Sequence, residues 1–293
     1  MKFRDNPHIF AIFTILLWSS GFVFTRLALR YFTPLSLGFL RYLFASVPLV
    51  IFAILIKLKL PDMRDIKWFI LAGFFGFFFY MVTFNIGSVT VSASTCSLII
   101  ATSPVITTLL ARMIYREKLR IIQYIAIIIE FAGVAVLTLL NGIFSVSTGL
   151  AWLILASVSL SIYNLLQRKL IKIYSSVQAA IFSIWPGSLM LMIFIPFSIT
   201  EIKTAPAIQI VYLIILGVFA SAIAFITWTH ALSKAENVST VTNYMFITPF
   251  SVTLLGFFLA NETPDFATIT GGAIIMIGMF IYNFHGKLTK IKG

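Results

Sequence analysis

A pattern of proline, glutamate and glycine occurs twice in this chain, and the two copies lie 145 residues apart. In each copy the glutamate follows the proline by 13 positions, and the glycine follows the glutamate by 16. Both copies lie in long apolar stretches, so we predict two similar halves that each form a membrane bundle, as in many solute carriers. The copies consist of Pro104, Glu117 and Gly133, and of Pro249, Glu262 and Gly278.

Composition places the chain among membrane proteins. Of its 293 residues, 60% are hydrophobic and only 10% are charged, and the mean hydropathy is +1.04. A soluble chain of this length needs many more polar residues to cover its surface. The single cysteine, Cys96, excludes an intrachain disulfide and a cysteine-cluster metal site. We therefore predict an all-α integral membrane protein.

Windows of about 20 apolar residues predict ten transmembrane helices. Five of them fall in residues 1–142 and five in residues 143–293, which we predict to be two five-helix repeats. Because five is an odd number, the second repeat enters the membrane from the opposite side, so the repeats have inverted topology. The spans cover roughly residues 8–29, 34–57, 66–88, 92–113, 119–139, 148–169, 175–197, 207–229, 237–260 and 264–285.

The basic residues predict the orientation. If the N-terminus is inside, most of the 21 Lys and Arg residues lie in inner segments, whereas the outer loops hold only Arg30 and Lys203. This asymmetry places both termini in the cytoplasm. Topology and contact with anionic lipids therefore explain the net charge of +12, and no nucleic-acid partner is required.

Further short motifs accompany the duplicated pattern. They are Trp18-Ser19-Ser20-Gly21 followed by Arg26, Arg41-Tyr42-Leu43-Phe44-Ala45, Glu117-Lys118-Leu119 after Pro104, and Glu262-Thr263-Pro264 after Pro249. With these motifs the chain resembles the EamA-type permeases of the drug/metabolite transporter superfamily over about residues 8–285. The resemblance implies ten helices, an inner-membrane location and export of small metabolites or drugs. It also implies a cavity lined by the first, third and fourth helices of each half.

Polar side chains within the spans are the candidates for binding a solute, because such groups are costly in hydrocarbon unless they face the bundle interior. They are concentrated on the helices that the resemblance nominates. For each Ser or Thr, bonding to the backbone of its own helix is the alternative role, and Trp18 and Trp228 are alternatively core residues or interfacial anchors. The candidates are Trp18, Ser20, Tyr80, Thr83, Asn85, Ser103, Tyr163, Asn164, Trp228, Asn243 and Tyr244.

Pro104 and Pro249 are predicted to lie mid-helix, where each removes a backbone hydrogen bond. The resulting bend would be either a gating joint beside the cavity or a static kink filled by packing.

Three ionisable residues fall within the spans. Arg41 lies seven residues after Pro34, about 10 Å below the outer surface, where it would attract a solute carboxylate or extend to lipid phosphates. Arg26 lies nearer the outer boundary and is predicted to be an anchor to lipid headgroups. Glu130 lies about 16 Å into its span. It is a candidate proton carrier, or alternatively a protonated group bonded to a neighbouring helix.

No catalytic constellation is present in the sequence. The three histidines have no carboxylate partners at metal-ligand spacing, and no glycine-rich phosphate loop occurs. We predict that the protein is not an enzyme and that it needs no cofactor and no metal.

The sequence predicts an inner-membrane secondary transporter that exports small amphipathic metabolites, such as amino acids, by alternating access. Its partners would be a small solute and membrane lipids, and no oligomeric state is predicted. Import stays open, because chain orientation does not fix the direction of flux. A drug or cation exporter and a lipid or lipid-linked-sugar flippase are alternatives within the class. A non-transporting membrane scaffold is the alternative outside it.

Overall fold

The computed structural model describes residues 6–115, 121–141, 144–234, 241 and 243–288. Every regular element in this part of the chain is helical, and a helix lies in each of the ten predicted segments. We name these helices in chain order. They are α1 (Pro7–Ala28), α2 (Pro34–Leu55), α3 (Ile66–Thr90), α4 (Ala93–Ile100 and Ser103–Tyr115), α5 (Ile121–Asn141), α6 (Phe144–Leu170), α7 (Ser176–Lys203), α8 (Ala207–Lys234), α9 (Ile247–Ala260) and α10 (Phe266–Leu288).

Length and hydropathy make the bundle suited to a bilayer. Seven of the helices are long and apolar enough to cross a membrane, and α5, α9 and α10 supply shorter apolar stretches. Large apolar side chains cover the outside of the bundle, including Leu16, Ile54, Phe250 and Phe258, each of them at least half exposed. A contiguous apolar exterior of this kind needs lipid as its solvent. The all-helical membrane fold is thus confirmed.

Local sequence explains where helices begin. Pro7 opens α1, where its missing N–H removes no helical bond, and the Asn6 side chain accepts a hydrogen bond from the backbone N–H of His8 at 3.0 Å. Before α7, the side chains of Ser175 and Gln178 form a reciprocal capping box. These caps satisfy backbone N–H groups of the first turn, which have no partner within the helix.

Two π-helical segments occur at corresponding places in the two halves, Phe74–Phe79 within α3 and Ile215–Ile223 within α8. A glycine directly before the first segment and another within the second segment allow a neighbouring helix to approach closely. A methyl group added at Gly73 would lie 2.7 Å from the backbone nitrogen of Gly187 in α7. A methyl group at Gly217 would lie 2.7 Å from the carbonyl oxygen of Arg41 in α2. The third helix of each half therefore packs on the second helix of the other half.

Helices α5 and α10 cross at the two glycines of the duplicated pattern. A methyl group added at Gly133 would lie 2.7 Å from the backbone nitrogen of Ile275, and one added at Gly278 would lie 2.8 Å from that of Glu130. Ile275 and Glu130 are themselves 145 residues apart. The contact is thus reciprocal, and because the partner's number falls as the residue number rises, the two helices run antiparallel.

Pro104 and Pro249, predicted to lie mid-helix, each follow a local irregularity of the helix. Helix α4 breaks at residues 101–102, and Pro104 is the second residue of the segment Ser103–Tyr115. In α9, a 3-10 segment (Asn243–Phe246) precedes the α-helix, and Pro249 is its third residue. Each proline thus lies in the first turn of an α-helical segment, directly after a local irregularity of the backbone, where a missing N–H is tolerated.

We expect Gly278→Ala to destabilise the protein by about 1–3 kcal/mol, because the new methyl group would press on the backbone of α5. Gly256→Ala is the matched control. Its methyl group would meet only Glu262 at 3.9 Å, so greater helix propensity should stabilise the protein by up to about 1 kcal/mol. Thermal unfolding in detergent measures both changes, and equal shifts would contradict the close crossing.

Candidate functional site

A cavity lies between the two halves of the bundle. The space in it that the centre of a water-sized sphere can reach is about 40 Å³, and all the space between its atoms, including the part open to the outside, is about 570 Å³. The lining is mostly apolar and aromatic, as is usual for small-molecule sites. It is formed by Trp18, Gly21, Phe22, Arg41, Tyr80, Phe84, Ser97, Ile100, Ala101, Leu160, Phe225, Met245 and Thr248.

Aromatic rings form much of the cavity wall. Trp18 lies between the rings of Phe225 and Trp228, with centroid distances of 5.4 and 4.8 Å, and Tyr80 stacks on Phe84 at 5.5 Å. Of the predicted residues, Trp18 and Tyr80 line the cavity, and Trp228 supports Trp18 from behind with 2% of its surface exposed. The aromatic wall therefore combines side chains from both halves.

Arg41 is the charged group of the cavity. Its side chain does not extend to the lipid phosphates, because it is buried and lines the cavity. Thr248 joins the lining from the first turn of α9, and its buried hydroxyl has no hydrogen-bond partner in the described part of the chain. The prediction for Arg41 left two roles open, and this position supports contact with a solute.

Several predicted residues bond to the backbone instead of facing the cavity. The Ser20 hydroxyl donates to the Leu17 carbonyl at 2.7 Å, and the Thr83 hydroxyl donates to the Phe79 carbonyl at 2.8 Å. The Asn85 amide donates to the carbonyl of Pro34 at 2.9 Å, which joins α3 to the start of α2. These groups satisfy backbone acceptors within and between helices.

Tyr163, Ser103 and Asn164 also lie outside the cavity lining. Tyr163 is buried against Phe77 at 5.1 Å, and its hydroxyl accepts a hydrogen bond from Gln167 at 3.0 Å. Ser103 is fully buried beside the α4 break, and its carbonyl accepts a hydrogen bond from Ser161 at 2.9 Å. Asn164 is half-buried on α6.

The remaining candidates, on the second half, lie near the N-terminal end of α1. Tyr244 shares a 2.8 Å hydrogen bond with Nδ1 of His8, at the start of α1. Next to this bond an apolar cluster that includes Ala11, Ile15 and Trp228 closes the bundle beyond the cavity. The predicted role of Asn243 concerns a side chain outside the described residues.

Glu130 lies at the α5–α10 crossing and does not line the cavity. Its side chain is 1% exposed, and a methyl group added at Gly278 would lie 2.6 Å from its Cγ. Neither carboxyl oxygen has a hydrogen-bond partner within the described residues. In the same part of the chain, no group of His, Cys, Asp and Glu side chains is arranged to hold a metal ion.

An ion pair joins the two halves at the end of the bundle that carries the α1–α2 connection, called here the α1–α2 end. Arg26 Nε donates to Glu262 at 3.1 Å, and its Nη1 donates to the carbonyls of Ser88 and Val89 at 3.0 and 2.6 Å. The other Glu262 oxygen accepts from the backbone N–H of Ala93 at 2.9 Å. The prediction that Arg26 anchors the helix to lipid headgroups is therefore wrong.

The backbone at the end of α9 places Glu262 for this contact. Asn261 has a left-handed φ of 53°, a conformation that Asn tolerates better than most residues and that ends the helix. Arg30, one turn after Arg26, donates to the carbonyl of Ala260 at 3.2 Å. The α1–α2 end is thus closed by contacts between α1 and the α9–α10 connection.

Most of the apolar lining has no distinguishing signal in the sequence. Phe22, Phe84, Phe225 and Met245 line the cavity, but an apolar side chain in a membrane span is equally suited to lipid. Only their position on the nominated helices distinguished them.

The fold and the interior cavity define a multi-pass membrane protein of a kind suited to moving small solutes. Comparison with known sequences gives the family. The sequence profile of the EamA-like transporter family matches residues 6–139 and again residues 147–284. The chain belongs to this family, which confirms the resemblance to EamA-type permeases.

The relatives are named as transporters, and the similarity to each of them extends over nearly the whole length of both chains. The chain is 31% identical over 277 residues to YdfC, an uncharacterized transporter of Bacillus subtilis, covering 94% of this chain and 90% of the relative. It is 29% identical over 273 residues to a probable terminal-alkyne amino-acid exporter of Streptantibioticus cattleyicolor, covering 93% and 91%.

A probable amino-acid metabolite efflux pump of Salmonella typhimurium is 23% identical over 294 residues, covering 96% of this chain and 95% of the relative. One solved crystal structure has the same fold, with a TM-score of 0.64 at 18% identity over 95% of this chain and 97% of the other. The family and the names of the three relatives indicate a transporter.

We expect Arg26→Gln and Glu262→Gln to be coupled by about 1 kcal/mol in a double-mutant cycle. Each single variant removes one member of the ion pair and leaves the other member without its partner in a partly buried site. Arg30→Gln is the control for Arg26→Gln, since its guanidinium contacts only the carbonyl of Ala260 among the described residues. Arg30→Gln and Glu262→Gln should be additive in thermal unfolding. Equal coupling in both cycles would contradict a specific ion pair.

Proposed function

We propose that the protein is a secondary transporter of the cytoplasmic (inner) membrane that exports small amphipathic metabolites, such as amino acids, by alternating access. The observation that carries the proposal is the cavity between the halves, with an aromatic wall from both of them and one buried cation. A solute held there would contact both halves, so their relative movement would change the side from which it is accessible.

The proposed architecture is ten transmembrane helices in two inverted repeats, residues 1–142 and 143–293. The antiparallel crossing of α5 and α10 supports it, because equivalent helices of inverted repeats must run in opposite directions. Support also comes from the π-helical segments in α3 and α8 and from the family profile, which matches the chain twice. The distribution of Lys and Arg favours cytoplasmic termini, which would put the α1–α2 end outside.

Contacts on the two sides of the cavity suggest the gates. Arg26 and Glu262 close the α1–α2 end, whereas the His8–Tyr244 bond and the adjacent apolar cluster close the opposite end. Alternating access requires one set of contacts to open while the other stays closed. The helix breaks before Pro104 and Pro249 lie between these regions, at Ala101 and near Thr248 of the cavity lining, and would serve as the joints.

Aromatic and aliphatic lining favours an amphipathic solute over a multiply charged one. The names of two relatives mention amino-acid export or amino-acid metabolite efflux, and the same broad class fits this cavity. A cationic drug is less favoured, because the lining contains Arg41 and no carboxylate. Proton transfer through Glu130 would need a route from the α5–α10 crossing, so its position favours a protonated carboxyl packed between helices.

A flippase would need a lateral opening with polar groups for a headgroup. An apolar groove does lie between α9 and α10, but it shares no lining residue with the cavity. Two of its hydroxyls are already engaged, that of Thr253 with Ser94 at 3.1 Å and that of Thr268 with Thr95 at 2.8 Å. The groove therefore suits a lipid acyl chain and not a headgroup. The other alternative, a scaffold without transport, would not need the separate interior cavity.

Counterflow of labelled amino acids in proteoliposomes tests the proposal. We expect Trp18→Ala to reduce flux of the best solute about ten-fold, because about 1.4 kcal/mol of aromatic contact with the solute would be lost. Phe13→Ala is the matched control, since this aromatic side chain lies on the same helix and is 45% exposed on the outside. Absence of flux for the whole amino-acid panel, or equal loss in both variants, would overturn the proposed function.

A further inference from the structure

Arg41 is a charged group buried in the interior of a membrane bundle. It lies seven residues into α2, about 10 Å from the end of that helix, and is 6% exposed. A charge at this depth is costly unless it is paired, and such residues usually face a pathway for solutes or ions. Because Arg41 lines the cavity, a solute bound there could be the partner of its charge.

The contacts of the guanidinium are all with neutral groups. Nε donates to the Ser221 hydroxyl at 2.7 Å, Nη1 to the Thr25 hydroxyl at 3.4 Å, and Nη2 to the Ala220 carbonyl at 3.4 Å. A guanidinium carries five N–H donors, so two of them, on the terminal nitrogens, have no partner among the described residues. The shortest of these bonds, from Nε, orients the planar group. Each of the two terminal nitrogens then has one N–H left to donate to another molecule.

No carboxylate of the described chain compensates this charge. Glu262 pairs with Arg26, and Glu201 accepts from Thr33 at the α1–α2 end. Asp62 and Asp65 both lie against Tyr174 at the opposite end, where the Tyr174 hydroxyl donates to Asp65 and accepts from the backbone N–H of Asp62. Glu130 is at the α5–α10 crossing, and Asp265 caps the start of α10. A buried charge without an opposite charge is destabilising. An anion in the cavity would therefore interact favourably with both the positive charge and the free N–H donors.

The other residues of the cavity lining indicate which groups the rest of the ligand carries. The same cavity is lined by apolar surfaces of Trp18, Phe22, Phe84 and Phe225 and by the Thr248 hydroxyl, which has no hydrogen-bond partner among the described residues. No acidic side chain lines the cavity to pair with an ammonium group. The arrangement fits one anionic head and an apolar or aromatic tail.

We infer that Arg41 binds the carboxylate of the solute, and that the protein selects monocarboxylates with an apolar or aromatic tail. Two N–H donors can engage one carboxylate in the bidentate geometry that arginine favours. The carboxylate is then required, whereas the amino group of an amino acid is dispensable. This inference rests on the proposed transport function and narrows its substrate class.

Binding to the purified protein in nanodiscs, measured by thermal stabilisation and confirmed by calorimetry, tests the inference. The probes are matched triplets built on the leucine, methionine and phenylalanine side chains: the amino acid, its deaminated acid and its carboxamide. We expect amino acid and deaminated acid to bind alike and the carboxamide to bind at least ten-fold more weakly, because a charge-assisted pair is lost. Equal binding of acid and carboxamide would overturn the inference while leaving the proposed function standing. Absence of binding by all probes would overturn both.

Variants at position 41 give a second readout. Arg41→Gln should abolish the preference for acid over carboxamide, and Arg41→Lys should keep part of it, since the charge remains without the fork geometry. Arg30→Gln is the control, because Arg30 is exposed at the α1–α2 end and does not line the cavity. An unchanged preference in folded Arg41→Gln would overturn the inference. If that variant does not fold, the comparison of acid with carboxamide on the unaltered protein decides.

Discussion

The absence of water in the hydrocarbon core is the constraint on which this structure depends. Every backbone and side-chain polar group within the bundle must find a partner in the protein, so polar atoms are directed inward and apolar ones outward. The hydroxyls of Ser20 and Thr83 meet this demand by donating to carbonyls of their own helices, and Asn85 by joining α3 to α2. Arg41 meets it only in part, and the unfilled part lies in the cavity. Glu130 and Thr248 also lack partners among the described residues, but Arg41 is the basic side chain that lines the cavity.

Close helix packing explains how two halves make one interior. Without a hydrophobic driving force between helices in lipid, association relies on small residues that let backbones approach. Gly133 and Gly278 serve this purpose at the α5–α10 crossing, and Gly73 and Gly217 do so where the third helices meet the second helices of the other half. These reciprocal contacts leave the first, third and fourth helices of each half around the cavity, together with Arg41 of α2. Movement of one half against the other would then alter the cavity without separating the halves.

Hydropathy predicted where the helices lie because length and apolar composition are properties of a local stretch of chain. It could not predict which face of a helix meets the cavity, since these spans are apolar on most sides. Consequently Asn85 and Tyr163 were nominated for their polarity although their hydrogen bonds are structural, and Phe84 carried no signal. The ion pair of Arg26 was missed for another reason. Its partner lies 236 positions away, and no local pattern encodes a contact of that range.

The central claim, that the halves are inserted with opposite orientation, is tested most directly by labelling equivalent positions. Lys59, after α2, and Lys203, at the end of α7, are exposed and occupy corresponding places in the halves, and native Cys96 is buried. In cells producing Lys59→Cys or Lys203→Cys, a membrane-impermeant maleimide should label position 203 in intact cells and position 59 only after permeabilisation. Labelling of both positions from the same side of the membrane would contradict the claim.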